Sequence, residues 1–357
     1  MMNTLGYNSQ TWAMCQNQLE LGKDTDKFIY HNKDNFFVKE IKKFLCLRYT
    51  FIFDIVFFNF GSTLYTPFAS HRYKDEKGIN FFRLFLYAKY RNFMQIVEIK
   101  LLQLFNVKIF VQYQGSDARQ KRFCMENFEN TLPQYKTLYT LKDHEIDTIK
   151  QQQIKIFDKI SSKIYSLNPD LMYVLPKRTT FLPYCHISLD HWKPSIAKQN
   201  CNQVIRIAHA PSNREIKGTE IILSVIAELK KKYNDKFEFS LIEKIPHGKA
   251  IESYRNVDIL IDQIHAGWYG GLSVELMALG KPVICYLRKK DLNFIPKEMM
   301  QELPILNTSP SSLYQTISDV LEMTKEEIEQ LGLKSRQFVE KWHCPQKTTK
   351  KVLKDMK

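Results

Sequence analysis

The 357-residue sequence has no CxxC pair; its seven cysteines, at 15, 46, 124, 185, 201, 285 and 344, are scattered and odd in number. That excludes a disulfide framework and points to a reducing compartment. There is no GxGxxG, so the usual dinucleotide fingerprint is missing. The first thirty residues carry Asn, Gln, Asp and Lys throughout and no apolar core of a signal peptide. The greasiest run, Phe44 to Phe60, is broken by Arg48 and Asp54, too soon for a membrane-spanning helix. No low-complexity tract and no fixed-period repeat occurs. His186 with His191, and His343 with Cys344, lack metal-site spacing. Asp24-Thr25-Asp26 sets two carboxylates one residue apart, which reads either as a divalent-metal pair or as a polar turn before a strand. The expectation is a cytoplasmic protein without a metal or cofactor.

What is present is a large apolar fraction and an excess of positive charge. With 44% hydrophobic and 13% aromatic residues the chain can bury a substantial core, and its length suggests two domains. A formal charge of +14 calls for an acidic partner: nucleic acid, an anionic membrane surface or a phosphorylated substrate. No nucleic-acid-binding motif accompanies the basic residues, so nucleic acid is the weakest of the three.

Taken in order, Ser9 to Leu21 predicts a helix and Lys27 to His31 a short strand. Phe51 to Phe58 and Val107 to Tyr113 are β-rich runs, ending in Asn59-Phe60-Gly61-Ser62 and Gln114-Gly115-Ser116-Asp117. Ligands collect outside the carboxyl ends of strands in open parallel sheets, so Gly61, Ser62, Gln114 and Gly115 are candidates to face a cleft; each could equally be a strand-ending turn. Asn80 to Phe105 interleaves aromatic and aliphatic residues with Arg83, Lys89, Arg91 and Lys100. It reads either as a crossover helix with solvated basic groups or as a basic-flanked helix for an anionic membrane surface. Thr140 to Lys163 predicts a surface helix. After a linker at Asp190 to Gln203, strands at Val204 to His209, Phe237 to Ile242 and Val257 to Ile264 alternate with helices at Glu220 to Lys231 and Ala250 to Arg255. That alternation predicts a parallel, doubly wound sheet. Two helices, Leu313 to Glu322 and Lys325 to Lys341, precede a lysine-rich tail.

The stretch from Asp258 to Tyr286 is the centre of the reading: strand, glycine turn, short helix, strand. Gly270 and Gly271 let backbone N–H groups at the helix start approach an anion, and Gly280 stands where a helix ends left-handed. Arg214 and Lys217, a turn apart, suit a diphosphate. Glu275, one turn into the helix, suits the hydroxyls of a polyol. His209 ends its strand either as a phosphate or acceptor contact or as a satisfied core histidine.

Gly270, Gly271, Ser273, Glu275, Met277, Ala278, Gly280, Lys281, Pro282 and Val283 together resemble the donor-site signature of the family-four-like retaining glycosyltransferases of GT-B fold. HAPSNREIKGTE, from His209 to Glu220, resembles the same family's phosphate loop, QGSDAR its acceptor-side loop, and Asn168-Pro169-Asp170-Leu171 its turn before the domain crossover. The resemblance implies an α/β fold of two Rossmann-like domains facing a cleft, with an acceptor-side domain over residues 1–195, a nucleotide-sugar domain over 196–345 and a basic tail or helix over 346–357. It implies a metal-independent, hexosyltransferase-type enzyme of cell-surface polysaccharide synthesis with a glycan or lipid-linked acceptor. Asp117, Arg214 and Lys217 would be catalytic, and His209, Gly270, Gly271, Ser273 and Glu275 would bind the donor. The family's first glutamate, which contacts the transferred sugar, falls on Gly267 here, with Asp262 and His265 as candidate substitutes. A catalytically silent protein of the same fold that binds nucleotide-sugar or glycan is the alternative.

Overall fold

The computed structural model describes residues 8–14, 25–67, 79–194 and 204–357. Near the start, β1 (Trp12–Ala13) pairs in parallel with β2 (Lys27–Phe28). The helix expected over Ser9 to Leu21 is therefore a strand in part of its described stretch. The Trp12 ring meets Tyr49 and Phe53 edge-on, and the Thr11 N–H donates to the Asp26 carboxylate at 2.5 Å. Tertiary burial of one indole outweighs local helix propensity. Asp26 thus holds the start of β1 against β2, while Asp24 lies outside the described residues.

The sequence pattern did not point to α1 (Phe36–Cys46), which starts on an Asn35 side chain accepting from the Val38 N–H. Next come α2 (Tyr49–Ile52) and β3 (Ile55–Asn59). The strand expected from Phe51 thus begins later, because Tyr49 to Ile52 close a helical turn. The first domain continues with α3 (Ile79–Leu104), β4 (Lys108–Tyr113), α4 (Lys121–Asn127), α5 (Leu141–Ile160), β5 (Lys163–Ser166) and β6 (Thr180–Phe181). A reciprocal capping box between Thr140 and Asp143 sets the start of α5. The strands form a parallel sheet in the order β3-β4-β5-β6. Ile109, Phe110 and Val111 are consecutive and all buried, as a strand covered on both faces requires.

The second domain runs β7 (Ile205–His209), α6 (Arg214–Lys217), α7 (Thr219–Tyr233), β8 (Phe237–Leu241), α8 (His247–Arg255), β9 (Ile259–Ile261), α9 (Gly271–Ala278), β10 (Val283–Cys285), α10 (Lys297–Glu302) and β11 (Leu306–Asn307). Its parallel sheet has the order β11-β10-β9-β7-β8. The helix of the central motif, α9, is buried nearly all round rather than on one apolar face: Ser273, Val274, Leu276, Met277 and Ala278 are all inaccessible. It ends at Gly280, whose φ is +75°. α11 (Leu313–Leu321) and α12 (Lys325–Trp342) follow, and Gly332 lets α12 pass so close to Gly280 that a Cβ there would lie 2.1 Å from its carbonyl oxygen.

The lysine-rich end is α13 (Pro345–Met356), and it returns to the first domain. Val352 packs with Phe110, Tyr165, Leu167 and Leu182, and the Tyr165 hydroxyl donates to Asp355 at 2.6 Å. The two sheets are thereby held as facing halves of one α/β molecule.

Candidate functional site

Asp262, the first residue beyond β9, is the anchor of the site. Its side chain is wholly buried and accepts from the Lys217 ammonium, from the Ser273 hydroxyl at 2.5 Å and from the Gly270 N–H at 3.1 Å. Burial by itself would raise its pKa. The charge of Lys217, with the three hydrogen bonds, outweighs that and holds the carboxyl below its ordinary 3.8. One carboxylate thus fixes the phosphate-loop lysine against the start of α9. Asp262 is therefore a loop anchor and not a substitute for the missing glutamate.

Lys217 keeps two further ammonium protons beyond the one given to Asp262. The first-turn N–H groups of α9 have no intrahelical acceptor, and the helix dipole there favours an anion. Gly270 brings the start of α9 against the Lys217–Asp262 pair: a Cβ there would stand in van der Waals contact with the Lys217 nitrogen, at 3.6 Å. Gly218, at φ +78°, turns the chain from α6 into α7, and a Cβ there would overlap Ile264 at 2.4 Å.

Arg214 lies on the rim. Its guanidinium forks between Glu220, at 2.8 Å, and Glu243, at 3.1 Å, and remains 40% exposed. Binding an anion there requires it to exchange one of these partners. His209 is a satisfied core histidine, the second of its two readings. It is fully buried, Nδ1 lies 2.8 Å from the Ile261 carbonyl oxygen and Nε2 lies 2.8 Å from the Thr219 hydroxyl. Burial holds its pKa below 6.5, so it is neutral, and neither ring nitrogen is left for a ligand.

Glu275 points into the space between the domains, where its carboxylate lies 3.4 Å from Nε2 of His186. The same imidazole covers Gly271, where a Cβ would lie 3.1 Å from the ring. No spacing in the sequence marks His186 as a partner of Glu275. It arrives from the stretch between β6 and β7.

On the opposing wall, the Asp117 carboxylate accepts from the Gln114 N–H at 3.0 Å and the Gly115 N–H at 2.6 Å. Burial raises its pKa above 3.8 despite those bonds. Those bonds turn its oxygens toward the backbone of its own loop. The Gln114 carbonyl accepts from Asn168, whose amide oxygen accepts from the Tyr184 hydroxyl at 3.0 Å. Asp170 pairs with Arg119 at 2.6 Å. Gly61, at φ +51°, is dictated by packing: a Cβ would lie 2.2 Å from the Tyr113 ring. The Ser62 hydroxyl donates to the Phe60 carbonyl at 2.9 Å. Both lie in the turn that follows β3.

At Gly267, φ is +83° and a Cβ would fall 2.6 to 2.8 Å from the Arg288 guanidinium. Arg288, which no sequence motif singles out, donates to Asp291 at 2.6 Å and to the Asn130 carbonyl across the domain boundary at 2.9 Å, and stacks on Phe128 at 3.7 Å. Burial pushes the Asp291 carboxyl up to about 6 in spite of that arginine. The space a side chain at 267 would fill is thus taken by a domain-bridging arginine. His265 is buried beside Gly218, with Nδ1 unpartnered among the described residues.

No family model matches the chain, and no curated protein matches it by sequence. Solved structures do. Sucrose-phosphate synthase from Thermosynechococcus elongatus is 13% identical with a TM-score of 0.57, over 99% of this chain and 89% of that one. A glycosyltransferase from Rickettsia africae is 13% identical at 0.55, over 99% and 90%. HepE of Anabaena, in complex with UDP-glucose, is 7% identical at 0.51, over 92% and 85%. At these identities the likeness is one of fold, and with the two facing parallel sheets it makes this chain an α/β protein of GT-B architecture, two Rossmann-like domains facing a cleft.

Proposed function

We propose that this protein is a hexosyltransferase-type glycosyltransferase that moves a sugar from a nucleotide-sugar donor to a glycan or lipid-linked acceptor in cell-surface polysaccharide synthesis. The observation that carries the reading is the Asp262 anchor, which brings Lys217, Gly270 and Ser273 together at the N-terminus of α9 with Glu275 one turn inward. As the glycosidic bond breaks, negative charge accumulates on the leaving diphosphate. In this reading Lys217, the first-turn N–H groups and, on the rim, Arg214 meet that charge, which assigns no step to a metal ion. Glu275 accepts from the ribose hydroxyls, held in orientation by His186. Uridine is the base we favour, because HepE and an alpha-glucosyltransferase of similar fold, at TM-scores of 0.51 and 0.50, hold UDP-glucose and UDP. Retention of anomeric configuration follows from the sequence resemblance, and the proposed place of work is the cytoplasm, at the inner face of the membrane.

A second reading has one observation in its favour. Arg288 fills the space at Gly267, so a silent protein that binds a nucleotide-sugar without turning it over is the competing proposal. Thermal-shift screening with UDP, GDP, ADP and CMP tests the donor site: a ligand at a hundred times its Kd stabilises by about 2.7 kcal/mol. Turnover of mass-tagged nucleotide-sugars then separates enzyme from silent binder. If no nucleotide shifts the melting curve, both readings fail.

A further inference from the structure

From the outward face of the first domain, we infer that α1 and α3 form a docking surface for an anionic lipid bilayer. The inference deepens the proposed membrane-borne acceptor, and it rests on the apolar residues this face leaves exposed. α3 is about 39 Å long at 1.5 Å per residue. Its inner side buries Met94, Gln95, Glu98 and Leu102. Its outer side exposes Phe82, Phe85, Leu86, Phe93, Ile96 and Leu104. Their spacing, with Lys89 and Lys100 between, keeps them on one stripe along the helix, so the solvent face is apolar where a crossover helix would be polar.

α1 packs beside α3 and exposes apolar residues of its own. Phe36 meets Tyr87 of α3 at 5.0 Å, and the Tyr87 hydroxyl donates to Glu40 at 2.8 Å. Phe37, Ile41, Phe44 and Leu45, at i, i+4, i+7 and i+8, are 59 to 75% exposed. Large apolar side chains exposed in rows on two neighbouring helices mark an interaction site.

The charges select the partner. Arg83, Lys89 and Lys100 are exposed on α3, and Arg48 beside α2. The one carboxylate of α3, Glu98, is buried and accepts from Tyr49, Leu64 and Tyr65. On α1, Glu40 is taken by Lys43 at 2.6 Å, and Asp34 before it by Lys42 at 2.6 Å. Apolar groups fringed by positive charge that no carboxylate among the described residues pairs with match a lipid surface of negative charge. A second copy would set like charges against each other. Among the described residues no helix is long and apolar enough to cross a membrane, so the face lies on the surface.

The same Glu98 ties the backbone of the loop after β3 to the inner side of α3. The lysine-rich end is not part of this surface, because α13 is packed on the first sheet through Val352.

Co-sedimentation of the full chain with phosphatidylcholine vesicles, with and without phosphatidylglycerol, tests the inference. Wild type is expected to bind the anionic vesicles at least tenfold more tightly. Phe82→Ser/Phe93→Ser, with circular dichroism unchanged, should lose at least tenfold, and Lys89→Gln/Lys100→Gln about thirtyfold, from roughly 1 kcal/mol per charge. Lys350→Gln/Lys351→Gln should bind as wild type. Equal binding to both vesicles, no binding, or unchanged binding by the α3 variants overturns the proposal, as does a dimer that Phe82→Ser/Phe93→Ser dissociates. The assay needs no donor and no turnover, so its failure is distinct from failure of nucleotide binding.

Discussion

Replacing Asp262 by alanine is the sharpest perturbation of the site. The side chain has no exposed surface and holds three donors, one of them the Lys217 ammonium. Removing it strands a cation that is only 16% exposed and leaves the Ser273 hydroxyl and the Gly270 N–H without their acceptor. Breaking a buried ion pair from one side costs about 3–5 kcal/mol. Asp262→Ala/Lys217→Met removes the stranded charge as well, so the double variant should be more stable than the sum of the singles by about 2 kcal/mol. The Asp262 carboxyl titrates below 3.8, so its stabilisation is complete above that pH and lost as pH falls through the lower folded value. Acid unfolding should accordingly be less steep in the variant. Urea unfolding of the full chain gives the stabilities, and titration calorimetry with UDP gives affinity, which should fall about tenfold or more as Lys217 and the glycine turn lose their fixed geometry. Single effects that add within about 0.5 kcal/mol would refute the pairing. The pairing also means that Lys217→Ala lowers stability along with turnover, whereas Arg214→Ala, on the rim, should lower turnover with little change in melting temperature.

Glu275→Ala should reduce nucleotide affinity about tenfold to a hundredfold and Glu275→Gln by less, and the alanine variant should no longer discriminate against a 2′,3′-dideoxyribose analogue; retained discrimination would remove Glu275 from the ribose site. Gly267→Ala should destabilise by about 3 kcal/mol or more, from left-handed strain of about 1–2 kcal/mol and displacement of Arg288 from Asp291; a loss under about 1 kcal/mol in chemical denaturation would mean the arginine moves freely. His343 is buried between the Tyr269 hydroxyl, at 2.9 Å, and the Tyr184 carbonyl, at 2.7 Å, and burial lowers its pKa from 6.5 to about 4. Below 6.5 the unfolded chain takes up the proton first, so the stability that neutral His343 contributes is full above 6.5 and lost as pH falls toward 4, on the order of 3 kcal/mol in all. Melting temperature against pH should show that slope in wild type and a reduced one in His343→Gln; identical slopes would exclude His343 as its source.

Several features of this protein were determined by sequence alone because they depend on neighbours along the chain. The alternation of apolar runs and amphipathic stretches from Val204 onward marks β7 to β9 and their helices, and Gly270, Gly271 and Gly280 mark where α9 starts and stops. The strands ending at Gly61 and at Gln114 were legible for the same reason. Only the tertiary structure decided what the polar side chains do. Lys217, a free phosphate ligand in the pattern, is paired with Asp262; His209 is closed off by Ile261 and Thr219; Glu275 meets His186 from the stretch between β6 and β7. Gly267 looked like a lost glutamate, and the structure gives a reason for the glycine in Arg288, whose backbone N–H donates to the Gly267 carbonyl at 2.9 Å and whose guanidinium takes the side-chain space. Backbone period is set by sterics within a few residues, whereas the partner of a buried charge is set by whichever group the fold delivers within hydrogen-bonding distance. The outer face of α3 shows the same division: its sequence reads equally as a packed or a lipid-facing helix, and burial of Glu98 on one side and exposure of Phe93 on the other decide that both apolar faces are there.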